Sequence, residues 1–127
     1  MLKNKEIYER GLSLMKQLHG GHAGEAIIDS VKDICPDFAT MAIEWGFGNI
    51  FSRDGLDIKT RELAVIASCV TLGNAMPQLR AHIEAALNVG ASKKEIIEVI
   101  LQTALYAGFS VVTNSLFAAK DLLTENS

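Results

Sequence analysis

The apolar positions of this chain recur at helical spacing almost throughout, and nowhere do they alternate as a half-buried strand requires. Over residues 3–18, Ile7, Gly11, Leu14, Met15 and Leu18 fall close to a 3.6-residue period with lysine and glutamate between them, which predicts an amphipathic first helix. Gly20 and Gly21 interrupt it. The pattern resumes at Ala23, Ile27, Val31 and Ile34 and stops at Cys35-Pro36, because proline restricts the residue before it. Pro36 suits the first turn of a third helix, with Phe38, Met41, Ala42 and Trp45 on one stripe. Gly46 and Gly48 are expected to loosen the backbone, leaving 46–56 as a loop or short irregular link.

The stretch 57–114 carries the strongest pattern and reads as three helices, 60–73, 77–89 and 92–107. In the first, Leu63, Ile66, Ala67 and Val70 form a stripe, but Ala64, Val65 and Leu72 make the other side nearly as apolar, so burial all round is expected. Asp57 and Thr60 are both candidates for its N-cap. Pro77 starts the second, and Gly90 is placed to end it in the left-handed conformation. Ser92 and Glu95 have the spacing of a capping box at the start of the third. Gly108 breaks that helix, and 109–123 can form a last one. The expectation is an all-α bundle of about six to seven helices, a single domain over 1–127. Two of its helices are too apolar for a monomer of this size to cover, which predicts a homo-oligomer.

Composition narrows the partners. A chain of 127 residues, 49% hydrophobic and 21% charged, is that of one ordered domain. A net charge of −3 argues against a grip on nucleic acid or on an anionic membrane, since both need a clustered positive field. The N-terminal residues lack the apolar core of a signal peptide. The longest apolar run, 63–72, is about half the roughly 20 residues of a spanning helix. A cytoplasmic location follows as the expectation. Cys35 and Cys69 have no metal-ligand or redox spacing, and both read as small buried hydrophobes.

His82 is the ionisable residue most clearly on an apolar face, in the stripe Leu79, His82, Ile83, Ala86, Gly90, with small Ala85 and Ala86 beside it. Periodicity cannot separate a core histidine from a catalytic one, and from the pattern alone the core role is the commoner. Glu62 opens the preceding helix, where its charge also suits the helix dipole. A simple hairpin count puts it about 9 Å along the axis from the position opposite His82, so a water or substrate is expected to bridge the two. Arg80 and Glu84 have the spacing of a surface ion pair. Arg53, in a glycine-flanked loop, suits a carboxylate clamp. Gln102 and Tyr106, one turn apart, are able to turn hydrogen-bonding groups inward.

These residues also carry a resemblance. The run TRELA, then LRAHIEAALNVGASKKEIIEVILQTALYAG, resembles the carboxymuconolactone decarboxylase family, in which a histidine precedes A-L-x-x-G and then E-I-x-E-x-x-x-Q-x-A-x-Y-x-G. Upstream, Tyr8-Glu-Arg-Gly11, Trp45-Gly46 and Ile50-Phe-Ser-Arg-Asp-Gly-Leu-Asp57 resemble its decarboxylase branch, so the likeness covers nearly the whole chain. It implies the AhpD-like helical fold in a ring of subunits, commonly a hexamer, and no cofactor. In the peroxidase branch a Cys-x-x-Cys pair precedes the histidine; here Ala75 and Gln78 stand at those positions, which removes the thiolate that mechanism needs.

The decarboxylase branch implies a small carboxylated lactone as substrate, such as a carboxymuconolactone of aromatic-compound catabolism. His82 would be proton donor, with Glu62 orienting it, Arg53 would clamp the carboxylate, and Arg80, Trp45, Gln102 and Tyr106 would complete the substrate contacts. Where that branch tends to have Y-C-G-x-P-A-A-N, this chain has Tyr106-Ala-Gly-Phe-Ser-Val-Val-Thr-Asn114, which reshapes the expected pocket wall. A thiol peroxidase using Cys69 and a non-catalytic oligomeric binding protein are the competing readings.

Overall fold

Every regular element among the described residues is helical, as the hydrophobic pattern requires. The computed structural model describes residues 4–20 and 26–125. It divides into two units, Met1–Leu56 and Asp57–Ser127.

The first unit contains α1 (Lys5–Gly20), α2 (Ala26–Val31), α3 (Pro36–Met41) and a π-helix (Ala42–Phe51) that continues α3. Met15 and Leu18 of α1 are buried, on the stripe the sequence predicts. The expected break at Gly21 and the position of Ala23 lie outside the described residues. Ile34, on the predicted stripe of the second helix, is 80% exposed. The expected loop over 46–56 is a correction: helix runs on to Phe51, and only the residues beyond it are irregular.

Gly48 is not a breaker there but a contact. A Cβ at Gly48 would sit 2.6 Å from the Ile7 carbonyl oxygen, and one at Gly11 would collide with the Ile43 carbonyl oxygen. Glycine at both positions lets α1 and the π-helix approach backbone to backbone. The register is held from the side chains too. Arg10 Nε of α1 donates to the Gly48 carbonyl at 2.9 Å; at the end of the π-helix itself, Ser52 Oγ donates to the Phe47 carbonyl at 2.6 Å. His19 is buried and meets the Phe47 ring edge-on, with centroids 5.6 Å apart.

The second unit contains α4 (Ile58–Leu72), α5 (Met76–Asn88), α6 (Lys93–Gln102), α7 (Ala104–Ala107), α8 (Phe109–Ala118) and α9 (Lys120–Leu123). Its N-cap is Asp57, whose carboxylate accepts from the Thr60 amide at 2.7 Å. Gly73, at φ 77°, closes α4 in the left-handed region that disfavours a side chain, and α5 follows with Pro77 in its first turn. The Ser92–Glu95 capping box forms in both directions. The helix expected over 92–107 is divided at Thr103, and the one over 109–123 at Ala119.

Ile66, Val70, Leu79, Ile83, Ile96 and Ile100 are fully buried in one core. Each such side chain contributes roughly 1.5–3 kcal/mol. The inward face of α4 is Glu62, Ile66, Cys69 and Val70, rotated from the expected stripe of Leu63, Ile66, Ala67 and Val70. The helix is not buried all round, since Leu72 is 68% exposed. With apolar residues on every side, the periodicity could not choose the inward face.

Candidate functional site

Two neighbouring helices bring His82 and Glu62 together. Glu62, in the second turn of α4, has no exposed surface, and His82, in the middle of α5, keeps 18% of its side chain exposed. His82 Nδ1 lies 3.0 Å and 2.9 Å from the two Glu62 carboxylate oxygens. This corrects the expectation of a bridged pair. The hairpin count measures only axial offset, and takes no account of the reach of two long side chains across the crossing of α4 and α5.

A carboxylate cut off from water is costly unless it is hydrogen-bonded to a partner. With Glu62 as acceptor, Nδ1–H donates, so the neutral ring carries its lone pair on Nε2. The arrangement fixes the ring's tautomer and orientation, and the carboxylate behind it stabilises an imidazolium when the ring takes a proton. That is the chemistry of a general acid–base residue.

The remaining sequence candidates are placed as follows. Arg80 is bound to Asp121, through Nη1 at 2.6 Å and Nη2 at 2.9 Å, and also donates to the Ala118 carbonyl. The charge of Glu84 acts on Arg80 as its spacing suggests, but the bidentate partner comes from α9, 41 residues along, and no local spacing could announce it. Gln102 is exposed, and Tyr106 is 99% exposed, so neither turns inward in this chain. Arg53 is exposed and follows Ser52, which ends the π-helix; Trp45, within that helix, is 69% exposed. Arg53 and Trp45 belong to the first unit.

The cysteines behave differently from each other. Cys69 is buried as expected, and burial, reinforced by the Glu62 charge, pushes its thiol above the ordinary value. That disfavours a thiolate nucleophile there. Cys35 is exposed rather than buried, because it lies at the turn ahead of Pro36 and not on a helix face. No group of three or more His, Cys, Asp or Glu among the described residues is placed to hold a metal ion. Among the described residues no helix is long and apolar enough to cross a membrane. A shallow depression lined by Ala67, Ser68, Thr71 and Leu72 lies on the side of α4 opposite the buried Glu62 stripe.

Comparison with known proteins agrees with the resemblance read from the sequence. Residues 36–121 match the Carboxymuconolactone decarboxylase family. The 4-carboxymuconolactone decarboxylase of Acinetobacter baylyi is 28% identical over 124 residues, covering 98% of this chain and 92% of that protein. An uncharacterized 15.0 kDa protein of Paracoccus denitrificans is 35% identical over 97 residues, 76% of this chain and 72% of its own length. The nitrosuccinic acid decarboxylase of Metarhizium robertsii is 26% identical over 105 residues, 83% and 73% of the two chains.

Proposed function

The chain belongs to the carboxymuconolactone decarboxylase family, and from that premise we propose that it is a cofactor-independent decarboxylase of a small carboxylated lactone, such as γ-carboxymuconolactone. One observation carries the reading: the contact of His82 Nδ1 with the buried Glu62 carboxylate. When CO₂ leaves, the electron pair of the broken C–C bond passes into the lactone π-system and its carbonyl oxygen. That internal electron sink is why no cofactor is needed. The carbanion that results is quenched by a proton on carbon, and His82 Nε2 is its donor in this reading.

Glu62 holds the ring, and its charge stabilises the protonated form between turnovers. Arg53 is the residue proposed to hold the substrate carboxylate, since a guanidinium matches that group with two parallel hydrogen bonds. The thiol-peroxidase alternative has little behind it, with Ala75 and Gln78 in place of a cysteine pair and Cys69 buried. The protein is further proposed to be a cytoplasmic homo-oligomer, of the hexameric kind that the family resemblance implies. Leu105, Tyr106 and Phe109, 82%, 99% and 83% exposed, support an association surface.

The test is turnover of γ-carboxymuconolactone, followed by loss of substrate absorbance and release of CO₂. His82→Asn is the control, because its amide nitrogen can take the place of Nδ1 toward Glu62 while nothing occupies Nε2. Wild-type turnover should exceed that variant by about 10²–10⁴-fold. Equal rates would sink the proposal.

A further inference from the structure

We propose that the His82–Glu62 pair has a second activity: it acts as a base toward carbon acids, exchanging the α-proton of small unsaturated lactones that carry no carboxylate and shifting their double bond. The inference rests on His82 being the proton donor of the proposed decarboxylation, and extends it to substrates that cannot lose CO₂.

Its basis is the geometry of the pair. Both Glu62 oxygens lie within 3.0 Å of Nδ1, so the ring is oriented by a partner that does not move with solvent. Among the described residues Glu62 is the one buried carboxylate. The His82 side chain keeps 18% of its surface exposed while Glu62 keeps none. Ala85 and Ala86, one turn further along α5, are fully buried.

Microscopic reversibility supplies the chemistry. A nitrogen that delivers a proton to the carbon of a lactone enolate also removes it from the same carbon. In the exchange step the Nε2 lone pair takes the α-proton, the C–H electron pair moves onto the lactone carbonyl oxygen as an enolate, and the ring becomes imidazolium. The imidazolium exchanges its proton with solvent and returns one from it to the α-carbon, or to the γ-carbon, which brings the double bond into conjugation with the carbonyl. Charge and atoms balance with solvent as the only co-reactant. The carboxylate matters only to substrate holding and to CO₂ loss; the acid–base pair does not require it.

The experiment incubates the whole protein with α-angelica lactone in D₂O and follows the α-proton signal, and the conjugated isomer, by NMR. Exchange above the buffer rate should be about 10²-fold faster than with His82→Asn, the low end expected of one positioned acid–base group. Circular dichroism of each variant checks its fold, with His82→Gln as the alternative if the asparagine variant does not fold. Exchange equal to that of the variant overturns the inference. The γ-carboxymuconolactone assay is run in parallel. Exchange without decarboxylation upholds the inference and removes the decarboxylase reading; decarboxylation without exchange does the reverse; neither activity removes both.

Discussion

Glu62 shows how much one residue's surroundings decide. In the sequence it looks like an ordinary first-turn acid, yet the fold sets it in the second turn of α4, gives it no solvent and pairs it with His82. Removing one partner of a buried pair leaves the other charge uncompensated, at a cost of about 3–5 kcal/mol. His82→Ala should therefore lose on the order of 3 kcal/mol in urea unfolding. His82→Asn, which keeps a donor toward Glu62, should lose less than half of that. Equal losses in the two variants would mean that the contact contributes packing and not charge compensation.

At the scale of the element, α1 and the π-helix owe their close approach to glycine. Gly48→Ala places a methyl group 2.6 Å from a backbone oxygen of Ile7, and should cost about 1–3 kcal/mol, as overpacking does. Gly46, two residues away, has nothing within 4 Å of the same added atom. Gly46→Ala should be neutral or stabilising by up to about 1 kcal/mol, since it removes freedom only from the unfolded chain. Thermal melts of the two variants side by side separate glycine as contact from glycine as breaker. Similar effects would restore the reading of a loosened backbone.

Across the whole molecule, three surface carboxylates set the acid limit. The Thr60 backbone amide holds Asp57 below its ordinary value of 3.8, the Ser92 amide holds Glu95 below 4.5, and the Arg80 guanidinium holds Asp121 below 3.8. A carboxylate whose folded pKa is depressed adds stability above its unfolded value and loses it as pH falls toward the folded one. The urea midpoint should hold level down to about pH 4.5 and then fall progressively, through 3.8 and below, with Asp121→Asn giving a shallower fall. A midpoint that is flat down to pH 3 would show that these contacts contribute nothing. Sedimentation tests the proposed assembly: a mass several times 13.8 kDa is expected, dropping in Leu105→Asp. A monomeric wild-type chain would end that part of the proposal.

The sequence by itself determined the helical class, most helix starts and stops, and the family. Those depend on local spacing: Asp57 caps the next turn, Ser92 and Glu95 cap each other, and Gly90 takes a positive φ just past the end of α5, all within a few positions. It also put His82 on an inward face, because the apolar stripe of α5 is narrow enough to have one direction. Only the tertiary structure decided which side of α4 is inside, because that helix is apolar in nearly every direction, and so only the structure could seat Glu62 against His82. The same holds for Arg80, whose bidentate partner Asp121 comes from another helix, and for Gly48, whose neighbour Ile7 is far away in sequence. Local chemistry is written in residue spacing, whereas a contact between helices is settled by how two faces pack, and here several faces were equally apolar.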